Sequence, residues 1–316
     1  MNQVPSSPPT PSVLKKWLIA ARPWSWPASS MPVIFGTSLA VVIGGVRLSV
    51  PRFLWALLTM MILHSAANML SDVFDYRRGL DKDVTPVSGA IVRGFLPATQ
   101  VLAGAVCLFG LGAASGLLIA LTTGRALLVI GGIGVAIGAG YTLLKAHALG
   151  DLAVLLNFGL LGSAGAWMVQ TRTFSWLPVV WVIPMATLVA AILHANNWRD
   201  TLSDRERRVT TVAAILGDRG SLLYYGALIF AGFLFDPALI FLPRLAGGLQ
   251  AMPWTFFIVF LALPNALRLW GRAVRRASPR RPLEFIILDG ATANYNLVFG
   301  LLSTAAVWLE ALRRCL

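Results

Sequence analysis

Asn68-Met-Leu-Ser-Asp72-Val-Phe-Asp75-Tyr-Arg-Arg-Gly-Leu-Asp81-Lys-Asp83 closes a long apolar run and holds four of the chain's thirteen acidic residues. In a chain that is 57% hydrophobic and 12% charged, such a gathering needs a reason. Continued as a helix, the run places Asn68, Asp72 and Asp75 at i, i+4 and i+7, on one face, so that their oxygens converge. Converged carboxylates repel one another unless a cation lies between them. Oxygen ligands alone suit a hard cation such as Mg2+, which keeps water and phosphate oxygens in its shell. Two readings follow: a metal-diphosphate site at a membrane edge, or a hydrated acidic loop after a helix.

The rest of the chain decides the setting. A mean hydropathy of +0.74, with apolar runs along the whole length, excludes an ordinary soluble domain and indicates an all-α polytopic membrane protein. Windows of about 20 residues predict nine spans, near 28–48, 53–74, 98–121, 125–145, 150–170, 177–197, 221–241, 252–271 and 293–312. The runs are continuous and do not alternate, which argues against a β-barrel. Residues 23–316 are expected to form one transmembrane domain. Residues 1–22 divide into a Pro- and Ser-rich start, expected to be disordered, and a short interfacial helix with Trp17 and Leu18 beside Lys15 and Lys16.

Cys107 and Cys315 form neither a disulfide framework nor a metal-ligand spacing. The formal charge of +13 is distributed by the positive-inside rule, not as a nucleic-acid patch. With a cytoplasmic amino terminus, nineteen of the twenty-six Lys and Arg fall on the cytoplasmic side. That bias orients the chain and favours anionic lipid and anionic substrates.

Arg22-Pro-Trp-Ser-Trp-Pro opens the first span, where Arg22 is either an interfacial anchor or a contact to a substrate phosphate. His64 shares a helical face with Asn68. Thr85 to Leu96 is too polar to span and long for a turn, so it reads as a lid or a plain connector. The glycines of the third to fifth spans are read as packing positions. Tyr141 and Lys145 lie on one face at the end of the fourth span, placed either to anchor at the headgroups or to hold a leaving diphosphate. Asp151, after Gly150, can cap the fifth span or face the cavity, and the cap is the favoured reading.

A second cluster answers the first. Ile192-Leu-His-Ala-Asn196-Asn197-Trp-Arg199-Asp200-Thr-Leu-Ser-Asp204 ends the sixth span with Asp200 and Asp204 at i and i+4, preceded by asparagines as Asp72 is. Both clusters follow even-numbered spans and so share the cytoplasmic side. Together they can hold Mg2+ ions around one diphosphate, with Arg199 and Lys145 at hand for the remaining charge. A solvated loop does not explain the repeated arrangement.

The chain therefore resembles the UbiA superfamily of intramembrane prenyltransferases, which carry two Asp-rich motifs on a nine-helix bundle. The likeness runs from about Arg22 through the ninth span. It is most similar to the menaquinone-pathway branch, which prenylates 1,4-dihydroxy-2-naphthoate, and its animal vitamin K relatives. The passages that carry this are Asn68-x3-Asp72-x2-Asp75-Tyr76-x2-Gly79-x-Asp81, Gly140-Tyr-Thr-x2-Leu-Lys145 with Ala148-Leu-Gly-Asp-Leu, and Leu193-His-Ala-Asn-Asn-x-Arg-Asp-x3-Asp-Arg. Ser71, Val73 and Arg207-Arg-Val-Thr-Thr depart from that branch's usual residues without removing a carboxylate.

The resemblance implies a cytoplasm-facing polar site above an apolar cavity. In it Asn68, Asp72, Asp75, Asp200 and Asp204 bind Mg2+ and diphosphate, and Tyr141 and Lys145 help hold the leaving group. Arg22, Asn197, Arg199 and Asp81 are expected at the substrates, with Asp81 or Asp83 orienting the acceptor or taking a ring proton. The implied partners are a polyprenyl diphosphate, an aromatic acceptor and membrane lipid, in the plasma membrane of a bacterium or archaeon. Two alternatives stand beside this: the same fold acting on 4-hydroxybenzoate, homogentisate, chlorophyllide, haem or a glycerol phosphate lipid, or a cation-coupled transporter. A transporter usually places such groups near the midplane in broken helices.

Overall fold

The structure, a computed structural model, describes residues 11–79, 84, 89–206, 209–248, 250–276 and 283–316. Among these residues it is helical, with one isolated bridge between His147 and Thr210. The elements in order are α1 (Val13–Ala21), α2 (Pro27–Val42), α3 (Val50–Arg77), α4 (Ala98–Thr123), α5 (Arg125–Ala146), α6 (Gly150–Val154), a π-helical stretch (Leu155–Leu161) and α7 (Gly162–Thr171). There follow α8 (Leu177–Trp181), α9 (Ile183–Arg199), α10 (Thr201–Glu206), α11 (Val212–Ala246), a 3-10 stretch (Trp254–Ala262), α12 (Leu263–Val274), α13 (Leu283–Ile286) and α14 (Leu288–Cys315).

Among the described residues seven segments are long and apolar enough to cross a membrane: α3, α4, α5, the α6 to α7 rod, α11, the rod ending in α12, and α14. The other two expected spans differ. The first, α2, has only 16 residues, and the sixth is divided at Val182 into α8 and α9. Helix starts follow local chemistry. Pro51, Pro178, Pro184 and Pro264 occupy first turns, where a missing N–H costs nothing, and Gly124, at φ 147°, separates α4 from α5.

α1 is a separate helix, as its sequence suggests. Ser12 caps it and Arg22, at φ 54°, ends it in the left-handed region. Trp17 packs with Met69 of α3 and the α4 residues Val101 and Ala105. One core layer joins α2, α7 and α14 through Met31, Phe35, Trp167 and Val307. Gly36 permits that approach, since a Cβ there would overlap the Ser163 carbonyl of α7.

α9 is buried along nearly its whole length, enclosed by α6, the π-helical stretch, α11 and α14. Around its end Trp198 packs edge-on to Phe285 and beside Tyr225. α11 breaks at Gly217, whose φ of 65° lies outside the helical range, and this turns Asp218 toward Trp198 and Arg276. The result is that α3, α5, α9 and α14 bring their polar ends to one mouth.

Candidate active site

The end of α3 presents its acids as the i, i+4, i+7 spacing requires. Arg22, at the left-handed end of α1, reaches across and pairs with Oδ1 of Asp72. Asp72 is buried, and the backbone of Gly89 covers it so closely that a Cβ would overlap the carboxylate. Asp75 accepts hydrogen bonds from Lys145 Nζ at 3.1 Å and from Ser71 Oγ at 3.3 Å, both on Oδ2. Oδ2 of Asp72 and Oδ1 of Asp75 are buried and have no hydrogen-bond donor among the described residues.

Asn68 is fixed by its amide nitrogen, which donates to the Ala21 carbonyl at 3.1 Å and to Ser25 Oγ at 2.9 Å. His64 lies beside the same serine, with Nε2 3.3 Å from Ser25 Oγ and Nδ1 2.8 Å from Ser29 Oγ. Sequence alone left Arg22 between anchor and ligand; its pairing with Asp72 makes it part of the acidic site.

The second motif ends α9 and continues into α10. Arg199 grips Asp200 with its fork, Nε to Oδ1 at 3.0 Å and Nη2 to Oδ2 at 2.9 Å. Its remaining Nη1 donates to Asp289 of α14 at 2.9 Å and to the Ile286 carbonyl at 3.2 Å. Asp289 also accepts from Asn196 at 3.3 Å. Asp204 is buried one turn further on, within electrostatic reach of Lys145. Lys145 is itself buried and so does not snorkel to the headgroups; it stands between the motifs. The His147–Thr210 bridge holds it there, joining the end of α5 to the segment after α10 through Thr210 N to Ala146 O at 3.1 Å.

A cavity of about 630 Å³ takes up the space between the motifs. Arg22, Asn68, Asp75, Tyr141, Lys145, Arg199 and Asp200 line its polar end, and Leu117, Ile119, Leu127 and Val169 its depth. Asp72 and Asp204 sit just behind the lining. The polar end meets a substrate with fixed charges of both signs, and the depth is apolar.

Two expectations are corrected. Asn197 turns away from the cavity: it is buried, donating to Asp151 at 3.5 Å, and its neighbour Asn196 lines the cavity instead. Asp151 does not cap α6. It is buried between helices, with His194 Nδ1 at 3.1 Å and Asn197 as partners. Asp81 and Asp83 lie outside the described residues, as does the start at residues 1–10. Of the connector after α3, the described residues Ala90, Ile91 and Leu96 pack against Met69 and Val73.

Asp289 and Asn157, which both line the cavity, were not singled out as site residues from sequence. Asp289 carried a signal, an acid at a span end in an apolar chain. Among the described residues no three His, Cys, Asp or Glu side chains form a ready-made metal centre.

The sequence profile of the UbiA prenyltransferase family matches residues 29–288. The chain is 30% identical over 312 residues to the UbiA prenyltransferase domain-containing protein 1 homolog of Drosophila melanogaster, covering 96% of this chain and 82% of that protein. It is 28% identical over 306 residues to the 1,4-dihydroxy-2-naphthoate octaprenyltransferase of Bacillus subtilis, covering 92% of each. Its fold is similar to that of a UbiA homolog from Archaeoglobus fulgidus bound to DMAPP and Mg2+, with a TM-score of 0.57 at 16% identity over 90% of this chain and 98% of that one.

Proposed function

The chain belongs to the UbiA prenyltransferase family and is a prenyltransferase, and from that premise we propose that it moves a polyprenyl group from a prenyl diphosphate to 1,4-dihydroxy-2-naphthoate, with loss of the ring carboxylate. One observation carries this reading. Two acidic motifs on different helices meet at the polar end of one cavity, with Lys145 between them and an apolar depth below.

The residues fit Mg2+. Among the described residues no donor reaches one buried oxygen each of Asp72 and Asp75, and the Asn68 hydrogen bonds run through its nitrogen, leaving the oxygen for a cation. Asn68, Asp72 and Asp75 on one side and Asp200 and Asp204 on the other would hold it, with diphosphate oxygens and water completing the shell. When bound, Mg2+ neutralises the diphosphate and withdraws electrons from it.

Lys145 and Arg22 supply fixed positive charge where negative charge grows as the allylic carbon–oxygen bond breaks. Tyr141, one helical turn from Lys145 on the same face, offers a hydroxyl donor to the leaving oxygens. The allylic cation left behind is consumed by the aromatic ring, which attacks through carbon. Water would compete for it, and the apolar walls below Tyr141 keep water out. The prenyl tail continues into that depth and out toward lipid.

We read α2 and the α8 to α9 rod as crossing the bilayer too, giving nine spans, with the mouth facing the cytoplasm. The distribution of basic residues supports that side.

The test uses purified protein in lipid with Mg2+, a prenyl diphosphate and a panel of aromatic acceptors, comparing wild type with Asp72→Ala and Asp200→Ala. A prenylated, decarboxylated naphthoquinol made by wild type and by neither variant is expected. Prenylation of another acceptor in its place would reassign the acceptor; full activity in either variant would overturn the mechanism.

A further inference from the structure

Asn157 stands in the π-helical stretch Leu155–Leu161, six residues beyond Asp151 and so roughly 9 Å deeper in the membrane. π-Helical turns carry one extra residue per turn and recur at functional sites. Its side chain lines the cavity. A Cβ built on Gly134 would lie 3.0 Å from its Oδ1, and one built on Gly138 would lie 3.8 Å from its Nδ2. The amide head thus lies against α5 where Gly134 and Gly138 carry no side chain.

Two other polar groups that line the cavity have partners. His64 is held between Ser25 and Ser29, its ring 4.5 Å from that of Phe158, and Thr59 pairs with Ser115 at 2.7 Å. Asn157 is different. An amide offers two N–H donors and a carbonyl with two lone pairs, and none of the described residues bonds to it. At membrane depth such a group needs a polar partner.

A prenyl tail passing Asn157 would leave the amide unsatisfied. A ring bearing oxygen would not, and Phe158, next to Asn157 in the chain, lines the same cavity with an aromatic face. Resting on the prenyl-transfer reading above, we infer that Asn157 orients the acceptor, hydrogen-bonding a ring oxygen of a hydroxylated arene and so selecting oxygenated rings.

The test reads binding without turnover. Affinities of 1,4-dihydroxy-2-naphthoate, kept reduced, and of 2-naphthoate are measured by equilibrium dialysis for wild type, Asn157→Leu and Gly134→Ala. The last variant displaces the amide without removing it. Both variants should bind the dihydroxy compound about tenfold more weakly, the loss of one neutral hydrogen bond in a dry site, and 2-naphthoate as wild type does. KM for prenyl diphosphate should stay within about twofold, since the donor's diphosphate is held elsewhere. Equal binding by Asn157→Leu, no binding by wild type, or a raised prenyl diphosphate KM with unchanged naphthoate affinity would overturn the assignment. A wild-type protein that binds the ring through Asn157 but transfers no prenyl group would sink the proposed reaction and leave the subsite standing.

Discussion

Replacing Lys145 by Met removes one charge from the middle of the site and nearly conserves side-chain length. In the structure its ammonium lies 3.1 Å from Asp75 Oδ2, and both residues are largely buried. At an effective dielectric of about 20, two unit charges at that separation attract by about 5 kcal/mol before desolvation is counted. Removing one partner of a buried pair typically costs about 3–5 kcal/mol, because the other charge is stranded. Asp75 is poorly placed to recover, since its second oxygen already lacks a donor among the described residues.

The catalytic loss is separate. A preorganised donor aimed at developing negative charge is worth about 10²- to 10³-fold in kcat. Lys145→Met should therefore lower both thermal stability in detergent and kcat. The double variant Lys145→Met with Asp75→Asn separates the two effects. Removing both charges should restore most of the melting temperature, because no ion is left stranded, while activity stays low. Product formation with saturating Mg2+ and prenyl diphosphate, read beside a melting curve for each variant, is the assay. A single variant that keeps kcat within threefold of wild type refutes the leaving-group role. A double variant no more stable than the single one refutes the pair energetics.

Asp289→Asn removes the charge that anchors Arg199 Nη1 while keeping an acceptor for Asn196. A fall in kcat/KM of about tenfold is expected, the weakening of one charge-assisted hydrogen bond, with a lowered melting temperature as well, because Arg199 and Asp289 are both largely buried; an unchanged kcat/KM would show that Asp200 alone positions Arg199. Chelation of divalent cations should abolish transfer and added Mg2+ should restore it. Loss of cation binding in Asp75→Ala, measured by calorimetry without substrate turnover, would place the cation at the first motif. Gly36→Ala drives a methyl group into the Ser163 carbonyl and should cost about 1–3 kcal/mol. The specific activity of the folded fraction should persist, because neither Gly36 nor Ser163 lines the cavity. Gly217→Ala forces a side chain into the left-handed region, costing about 1–2 kcal/mol, and should loosen the contacts of Asp218 with Trp198 and Arg276. A variant that melts with wild type would show that the break tolerates a Cβ.

The hydrocarbon core of the bilayer imposes helix lengths and excludes unpaired backbone, so apolar runs of sufficient length could be read as helices directly. The acids of both motifs were legible for the same reason, as charges in an apolar chain at helical spacing. Lys145 and Tyr141 were found on one face but left between two roles, because a lysine at a span end either snorkels or pairs according to what stands beside it.

What sequence could not settle is how each helix is rotated and which neighbour it meets. Asn196 and Asn197 are adjacent in the chain but point about 100° apart around α9, and only the packing of α9 against α6 and α14 turns Asn196 to the cavity and Asn197 to Asp151. Asp289 comes to Arg199 because α14 runs beside α9, ninety residues away in sequence. Asn157 reads as one polar residue in a span until the π-helical turn and the glycines of α5 expose it to the cavity. Composition and periodicity determined the helices and the presence of two acidic motifs. Helix rotation and inter-helix pairing, which depend on side-chain packing between distant segments, decided which of the polar residues became the site.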